Sequence, residues 1–202
     1  MNILGFIFDL DGTLVNSKLD FDAMRQEMGL RQDESILESI EQMDKAEAHR
    51  CRTILQQHEL RGASNATAMH GVHEFLHYLD KLNIRRAIVT RNARIMATQM
   101  LQKCKLNFDT LIAREDGPTK PNPWAINHIC ESWNVQPHRV VMVGDFRFDI
   151  EAGRRAGTKT VFFSNGKNFD DPDLTSNADW SLNSFDQPEN LFAALGLLRR
   201  TE

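Results

Sequence analysis

The chain has 202 residues, enough for one sizeable core with a modest insertion. Its 24 basic and 28 acidic residues give a formal charge of −4, and no block of like charge is long enough to indicate a nucleic-acid-binding arm. The composition therefore excludes a strongly basic nucleic-acid-binding protein and favours small-molecule partners.

The three cysteines, Cys51, Cys104 and Cys130, are odd in number and widely separated. This spacing argues against a disulfide framework and against a zinc site of the paired-cysteine type, so we expect a reducing compartment. The opening MNILGFIF has no basic start and reaches Asp9 too soon for a signal peptide, and no later stretch is long enough to span a bilayer. We expect a cytoplasmic protein without membrane contact.

The first predicted element is ILGFIF, a nearly continuous apolar run that precedes the turn at Asp11-Gly12. Such a run predicts a strand buried on both faces. Four further runs, with helical patterns between them, are RRAIVT, DTLIA, RVVMVGD and KTVFFS, which end at Thr90, Ala113, Asp145 and Ser164. The alternation predicts an α/β fold with a parallel sheet.

The region from Ser17 to Met69 has a different pattern, with many charges, apolar residues at helical spacing and no predicted strand. The stretch ESILESIEQMDKAEAHRCRTILQQHEL predicts one long helix or two shorter ones, more than an ordinary crossover holds. We therefore predict a small helical cap domain, residues 17–69, inserted after the first strand of a core domain of residues 1–16 and 70–202. Its cationic candidates for binding an anionic substrate group are Lys18, Arg25, Arg50 and Arg52.

The segment GVHEFLHYLDKL returns the chain to the core as an amphipathic helix. Its predicted buried face consists of Val72, Phe75, Leu76 and Leu79. The tail predicts a short final strand and a closing helix packed through Leu191, Leu195 and Leu198. We also expect the phenylalanines to lie in the core.

Polar side chains follow the predicted strands, at the edge where open α/β sheets bind ligands. They are Asp9 and Asp11 after the first strand, Thr90 after the second, Lys120 in the loop after the third, and Asp145 with Asp149 after the fourth. Because residues i and i+2 of an extended segment point the same way, Asp9 and Asp11 can both reach this edge. Three carboxylates together are tolerable around a hard divalent cation, so the pattern predicts a Mg²⁺ site.

A Mg²⁺ ion held by few carboxylates commonly shares its remaining positions with substrate phosphate. Lys120 offers a point charge to phosphate oxygens, and the Thr90 hydroxyl and the backbone amides of the turns offer hydrogen bonds. In TKPNP, Asn122 is a good helix N-cap and Pro123 a good first helical residue, so a helix beginning there would hold the loop that carries Lys120. The strand ends therefore predict a site for a phosphoryl group.

These motifs, in this order, resemble those of the haloacid dehalogenase-like hydrolase superfamily. The matching segments are DLDGT from Asp9, the strand-end Thr90 in AIVTRN, Lys120 in TKPNP, and VGDFRFD from Val143 to Asp149. The likeness covers nearly the whole chain and is closest to the phosphoglycolate phosphatase-like branch. It implies a Rossmann-like parallel sheet with a small helical cap at the position of the predicted insertion.

The resemblance also implies a phosphatase mechanism with Mg²⁺ as cofactor. Asp9 would be the nucleophile that forms an aspartyl-phosphate, and Asp11 would act as acid towards the leaving group and as base towards water. Mg²⁺ would be held by Asp9, the Asp11 carbonyl and Asp145. Asp149 would either hold the metal through water or orient Lys120.

Three residues are implied to bind the phosphoryl group, namely Thr90, Arg91 and Lys120. For Arg91 the backbone N–H is the expected contact, while its side chain either reaches a substrate carboxylate or lies in solvent. Asp11 favours a phosphatase, since dehalogenases of the superfamily carry an aromatic residue there and phosphonate hydrolases an alanine.

The sequence departs from the pattern of the superfamily at two positions. Phe146 stands where relatives often have serine or threonine, and Asn16 stands where many have aspartate. Neither change removes a reacting group, although the first alters the surroundings of the metal.

The leading prediction is a Mg²⁺-dependent phosphatase acting on a small phosphorylated metabolite, such as phosphoglycolate, a sugar phosphate or a nucleoside monophosphate. The alternatives are a phosphomutase of the same fold and a scaffold that binds a phosphorylated ligand without turnover. The intact set of reacting residues counts against the scaffold, and product analysis distinguishes the mutase. The choice of leaving group is expected to lie in the cap.

Overall fold

The computed structural model of the chain describes residues 2–166 and 177–198, and it divides into two compact units. The main unit comprises Met1–Asn16 and Thr67–Glu202, and the helical unit comprises Ser17–Ala66. Met1, residues 167–176 and residues 199–202 of the predicted core domain lie outside the described residues. In chain order the elements are β1 (Gly5–Phe8), β2 (Val15–Asn16), α1 (Phe21–Met28), α2 (Ile36–Gln42), α3 (Lys45–Asn65), β3 (Thr67–Ala68), α4 (Val72–Lys81), β4 (Arg85–Val89), α5 (Arg94–Cys104), β5 (Thr110–Ile112), α6 (Trp124–Trp133), β6 (Val140–Gly144), α7 (Arg147–Ala156), β7 (Lys159–Phe163), β8 (Trp180–Leu182) and α8 (Glu189–Leu195).

The main unit is built on a six-stranded parallel sheet with the strand order β5-β4-β1-β6-β7-β8. The central strand β1 lies between β4 and β6, and its last residue, Phe8, is in register with Ile88 on one side and Val143 on the other. The predicted α/β fold with a parallel sheet is confirmed. The carboxyl ends of β4, β1 and β6 are neighbours, so the residues that follow these strands meet at one edge of the sheet.

Strand β1 is apolar throughout because both of its faces are buried. Ile7 belongs to an aliphatic core that includes Ile126 and Ile129 of α6. Phe6 and Phe8 point the other way and meet the ring of Phe75 in α4 edge-on, with centroid distances of 6.0 and 6.2 Å. Because successive side chains of a strand point to opposite faces, the four residues of β1 contribute to two cores.

The predicted buried face of α4 is confirmed, since all four of its apolar residues are buried. In α8, Leu191 and Leu195 are buried as predicted. The prediction for Leu198 is wrong, because the left-handed Gly196 ends the helix and Leu198 beyond it is 47% exposed. The expectation that the phenylalanines are core residues fails for Phe21 and Phe146, which are 48% and 45% exposed.

The helical unit contains α1, α2 and α3, and the stretch for which the sequence left open one helix or two forms the two helices α2 and α3. The Asp44 side chain accepts hydrogen bonds from the N–H groups of Ala46 and Glu47 and so begins α3 as a new helix. Apolar residues from all three helices form the core of this unit, among them Met24, Ile40, Cys51 and Leu55. Among the described residues, no helix is both long and apolar enough to cross a membrane.

The expectation that no strand lies between Ser17 and Met69 is wrong. Strand β3 pairs antiparallel with β2, with Val15 opposite Ala68 and Asn16 opposite Thr67. A two-residue strand contains too few positions for an alternating pattern, so the sequence gives no signal for it. This ribbon belongs to the main unit and joins the two chain segments that lead into and out of the helical unit.

Candidate active site

Asp9, Thr90 and Asp145 each follow directly on one of three adjacent strands, β1, β4 and β6. The Asp9 N–H donates to the Val143 carbonyl at 2.9 Å, and the Thr90 N–H donates to the Ile112 carbonyl at the same distance of 2.9 Å. The sheet ladder therefore continues one residue beyond the strands. It fixes the backbone from which the Asp9 and Thr90 side chains leave the sheet edge.

Lys120 is buried at this edge, with an exposed fraction of 2%. Its Nζ donates to Asp9 Oδ1 at 2.5 Å and to the Val89 carbonyl at 2.7 Å, and it lies 2.6 Å from Asp149 Oδ1. An ammonium group has three hydrogens to donate, and here each has an acceptor. The sequence-predicted residues Asp9, Lys120 and Asp149 thus form one buried ionic group.

Burial and charge act in opposite directions on this group. Burial alone would lower the pKa of Lys120, but the neighbouring Asp149 and Asp9 outweigh it and raise that pKa above its usual value. Burial raises the pKa of Asp9 well above its usual value, and Asp149 and Asp145 raise it further against the opposing effect of Lys120. The charge of one ammonium group therefore does not neutralise the carboxylates around it.

Three of the four aspartates predicted to hold the metal bring their carboxylates together, and the predicted ligand of the fourth, Asp11, is its main-chain carbonyl. Oxygens of Asp9, Asp145 and Asp149 lie within 4.8 Å of one another. Burial, and after it the charge of Asp149, raises the pKa of Asp145 to about 7. Crowded, poorly neutralised carboxylate oxygens are the donor set that a hard cation such as Mg²⁺ prefers, so these residues fit the predicted cofactor.

Gly12 allows Asp145 to approach the loop after β1. A Cβ atom on Gly12 would lie 2.1 Å from Asp145 Oδ2, and the φ angle of +87° at this residue also disfavours any side chain. The next residue, Thr13, donates its hydroxyl to Asp145 Oδ1 at 3.2 Å. The turn at Gly12 and Thr13 thus leaves room for the carboxylate of Asp145 and fixes its orientation.

The carboxylate of Asp11 is held by a residue that the sequence reasoning missed. Asn92 is 5% exposed, and its Nδ2 donates to Asp11 Oδ2 at 2.9 Å. The Asn92 backbone N–H donates to the Thr90 hydroxyl at 3.0 Å, and its side-chain oxygen accepts the Ala93 N–H at 2.7 Å. The amide of Asn92 therefore links the loop after β4 to the loop after β1.

A family model described as haloacid dehalogenase-like hydrolase matches residues 18–163, most of the chain and the part that contains Thr90, Lys120, Asp145 and Asp149. The chain belongs to the haloacid dehalogenase-like hydrolase family. Asp9 and Asp11 precede the matched range, but they lie in the same edge of the sheet as the matched residues. The predicted family is therefore confirmed by a comparison that does not depend on DLDGT.

Curated relatives and solved structures agree with this family. A haloacid dehalogenase-like hydrolase domain-containing protein of Arabidopsis thaliana is 30% identical to this hydrolase over 93% of this chain and 82% of its own. A pyrophosphatase of Oceanobacillus iheyensis is 29% identical over 80% of this chain and 83% of its own. The crystal structure of a predicted phosphoglycolate phosphatase from Haemophilus somnus superposes with a TM-score of 0.75 at 21% identity, covering 95% of this chain and 98% of the other.

The Arg91 side chain of this hydrolase is half-buried and does not lie in solvent, while a contact with a substrate carboxylate stays a prediction. Its Nη1 donates to the Lys120 carbonyl, and its guanidinium carbon lies 4.7 Å from the centre of the Phe148 ring. The side chain therefore ties the Lys120 loop to the segment after β6. A phosphate contact through the Arg91 backbone N–H stays a prediction.

The helix after the Lys120 loop begins at Trp124, one residue later than predicted. Pro123 occupies the N-cap position, and Asn122 accepts the Trp124 N–H through its side-chain oxygen at 2.9 Å. Asn122 thus accepts the expected capping hydrogen bond, although it stands one residue before the N-cap position.

Two of the four cationic candidates in the helical unit are engaged within that unit. Arg25 donates to the Glu34 carbonyl at 2.9 Å and pairs with Asp22 at 3.0 Å. Arg50 donates to the Met28 carbonyl at the end of α1 at 2.9 Å and pairs with Glu47 at 2.6 Å. These arginines hold the helices of the unit together, and a role in binding substrate stays a prediction for all four.

Proposed function

We propose that this hydrolase is a Mg²⁺-dependent phosphatase that cleaves small phosphate monoesters through an aspartyl-phosphate on Asp9. The observation that carries the proposal is the buried group in which Lys120 bridges Asp9 and Asp149 beside Asp145. Such an arrangement is costly to bury, and it supports a site built for an anionic group and a cation together.

In the first half-reaction, a carboxylate oxygen of Asp9 attacks phosphorus while the bond from phosphorus to the ester oxygen breaks. The leaving alkoxide takes a proton from Asp11, which is the general acid. The hydrogen bond from Asn92 to Asp11 supports this assignment, because it gives the acid a fixed position.

In the second half-reaction, Asp11 accepts a proton from water as the water oxygen attacks phosphorus. The bond from phosphorus to Asp9 breaks, inorganic phosphate leaves, and the Asp9 carboxylate is restored. The ammonium of Lys120, the hydroxyl of Thr90 and the backbone N–H of Arg91 would donate to the phosphoryl oxygens in both steps.

The carboxylates of Asp9 and Asp145, with the Asp11 main-chain carbonyl, would hold Mg²⁺, and Asp149 would act on it through water or by orienting Lys120. When bound, the ion supplies positive charge that offsets the charge of the phosphoryl oxygens. The raised pKa values of Asp9 and Asp145 support this assignment, since the charge of a divalent cation would oppose the effects of burial and of the neighbouring carboxylates.

A phosphate-release screen tests the proposal. It covers phosphoglycolate, sugar phosphates and nucleoside monophosphates, with Mg²⁺ and with a chelator, on wild type and on Asp9→Asn. We expect Mg²⁺-dependent release that Asp9→Asn lowers by at least about a thousandfold, because an amide is a poor nucleophile. The matched control is Asp33→Asn in the helical unit, an aspartate with a side chain 76% exposed, which should keep wild-type turnover.

Product analysis and mass spectrometry sharpen the result. A phosphomutase would convert a sugar phosphate to its isomer without releasing phosphate. An acid-quenched reaction should carry one phosphoryl group on the peptide that contains Asp9 in wild type and none in Asp9→Asn. Turnover that survives this substitution, or that proceeds equally well in chelator, would contradict the mechanism. Binding of phosphate esters without any turnover would make the protein a scaffold.

A further inference from the structure

Four residues next to the phosphoryl site form what we call the aromatic–arginine patch, namely Phe146, Phe148, Arg91 and Arg147. The two rings meet edge to face, with centroids 5.1 Å apart. The guanidinium carbons of Arg91 and Arg147 lie 4.7 and 5.1 Å from the centre of the Phe148 ring. Phe148 is thus held in place by two cations, at a distance where cation–π attraction is substantial.

Phe146 is the exposed ring of the patch, with an exposed fraction of 45%. It directly follows Asp145 and stands at the N-cap position of α7. This position favours Ser, Thr, Asp or Asn, whose side chains accept a backbone N–H, and a phenyl ring cannot do so. The ring therefore forgoes a capping hydrogen bond, and its contacts are with Phe148 and Arg147 of the patch.

The structural role of residue 146 is carried by its backbone. The Phe146 N–H donates to Asp149 Oδ2 at 3.0 Å, and its carbonyl accepts the Asp149 N–H at 3.0 Å. Any residue can supply these two groups. The phenyl ring is thus not explained by the helix or by the core, and such conflicts with local preference occur at functional sites.

The position of the patch relates it to the reacting residues. Each of its members is adjacent in the chain to a site residue, or lies between two of them: Arg91 follows Thr90, and Phe146 to Phe148 separate Asp145 from Asp149. The guanidinium carbon of Arg147 also lies 5.7 Å from the centre of the Phe146 ring. A leaving group extending from a phosphoryl group at the site residues would meet a partly exposed aromatic ring with positive charge beside it. This surface suits a planar π-system, which stacks on phenyl rings and guanidinium groups.

We propose that the aromatic–arginine patch binds a planar aromatic ring in the leaving group of the monoester, as in a nucleoside 5′-monophosphate or an aryl phosphate. The inference rests on the proposed function, since the phosphoryl site supplies the other anchor. Phe146 provides the stacking surface, and Phe148 with its two arginines keeps that ring in place.

The test compares the KM values of substrates with and without a planar ring. Adenosine and uridine 5′-monophosphates are compared with ribose 5-phosphate, and phenyl phosphate is compared with cyclohexyl phosphate, using wild type, Phe146→Ala and Phe146→Trp. Stacking of a base on an aromatic side chain changes affinity by roughly 5- to 150-fold upon alanine substitution. In wild type we expect a KM for the nucleotides about tenfold below the KM for ribose 5-phosphate. In Phe146→Ala the ratio of these two KM values should be near one, and in Phe146→Trp it should return to the wild-type value.

The same set of substrates distinguishes a site for a nucleobase from a site for any aryl group. A preference for nucleotides alone indicates a nucleobase, and an equal preference for phenyl over cyclohexyl phosphate indicates a general aryl site. The exposure-matched control is Leu198→Ala, since Leu198 is 47% exposed and lies beyond α8; it should leave the KM ratio at the wild-type value. A wild-type ratio near one, or an unchanged ratio in Phe146→Ala, overturns the proposal.

Failure of the proposed function is distinguishable from failure of the patch. If wild type hydrolyses ribose 5-phosphate and the nucleotides equally well, the phosphatase stands and the patch is refuted. If wild type hydrolyses nothing, the phosphatase is refuted, and calorimetric titration of adenosine 5′-monophosphate and ribose 5-phosphate judges the patch. Tighter binding of the nucleotide that Phe146→Ala abolishes would support the patch in that case, and equal binding would refute it.

Discussion

Two ion pairs of similar length, one in each unit, contain carboxylates with pKa values shifted in opposite directions. In the helical unit, Arg50 and Glu47 pair at 2.6 Å with side chains that are 47% and 42% exposed, and the hydrogen bond from Arg50 lowers the pKa of Glu47. At the sheet edge, Lys120 and Asp9 pair at 2.5 Å with side chains 2% and 11% exposed, yet the pKa of Asp9 is raised. The cation lowers the pKa of its carboxylate partner in both pairs, but burial at the sheet edge raises the pKa of Asp9 by more than Lys120 lowers it.

The largest effect is expected from removing the buried cation. Lys120→Met leaves the carboxylates of Asp9 and Asp149 buried without a counter-charge, so we expect the free energy of unfolding to fall by about 3–5 kcal/mol. Phosphatase activity should be lost as well. Denaturant unfolding measures the change. Arg50→Met in the helical unit is the control and should cost far less, and equal losses in the two variants would refute the contrast.

The next prediction concerns the glycine that makes room for Asp145. Gly12→Ala meets both an unfavourable φ and Asp145 Oδ2, whereas Gly29→Ala in the helical unit has a similar φ of +78° and no atom within 4 Å of its Cβ. Both should lose about 1 kcal/mol of stability for the conformation. Only Gly12→Ala should weaken Mg²⁺ binding, by about tenfold or more. Calorimetric titration with Mg²⁺ checks this, and equal affinity in both variants would contradict it.

The crowded carboxylates predict a pH dependence that Mg²⁺ reverses. The pKa of Asp145 is raised to about 7 in the fold, against a usual value of 3.8. A raised aspartate pKa means that the folded protein binds the proton more tightly, so this contribution to stability is complete below about pH 4 and disappears as pH rises through about 7. In chelator, the midpoint of thermal unfolding should therefore fall from pH 5 to pH 8.

Adding Mg²⁺ should stabilise the protein most at the upper end of that range, because protons no longer compete for the carboxylates. Asp145→Asn should flatten the profile in chelator. A wild-type profile already flat, or a slope that Asp145→Asn leaves intact, would exclude Asp145 as its source.

The smallest effect is expected at the side chain of Asn92, which donates to Asp11, while its backbone N–H donates to Thr90 and is kept in an alanine variant. Asn92→Ala should lower kcat/KM for an alkyl phosphate by about tenfold, since a misplaced general acid protonates the alkoxide less efficiently. For 4-nitrophenyl phosphate the loss should be much smaller, because that leaving group needs no proton. Steady-state kinetics with both substrates is the measurement. Equal losses on both would mean that Asn92 supports the fold rather than the acid.

Sequence reasoning predicted the sheet because parallel strands buried on both faces are apolar throughout, as Phe6, Ile7 and Phe8 illustrate. It predicted the candidate residues because ligands collect where such strands end. It missed β3, which is too short for a pattern, and it placed Leu198 in a helix that Gly196 ends. Strand β3 and the end of α8 each depend on one or two residues, whereas the predicted elements depend on a pattern repeated along the chain.

The hydrogen bond from Asn92 to Asp11 was missed for another reason. Asn92 lies two positions after Thr90, so the alternation that places Asp11 beside Asp9 would also have brought it to the sheet edge. Its partner, however, lies 81 residues away in the chain, and no local pattern reports such a pairing. The same holds for Arg91, whose contact with the Lys120 carbonyl spans 29 residues.

The wide separation of the site residues has a consequence for synthesis of the chain. Lys120 contacts a partner 111 positions earlier, and Asp145 accepts its hydrogen bond from Thr13 across 132 positions. Contacts of such high sequence separation form late, because a long loop must close before they do. A growing chain that has left the ribosome only as far as β5 contains Asp9 but neither carboxylate that follows β6. Under the proposed mechanism, the growing chain therefore cannot turn over substrate before β6 has been made and has paired with β1.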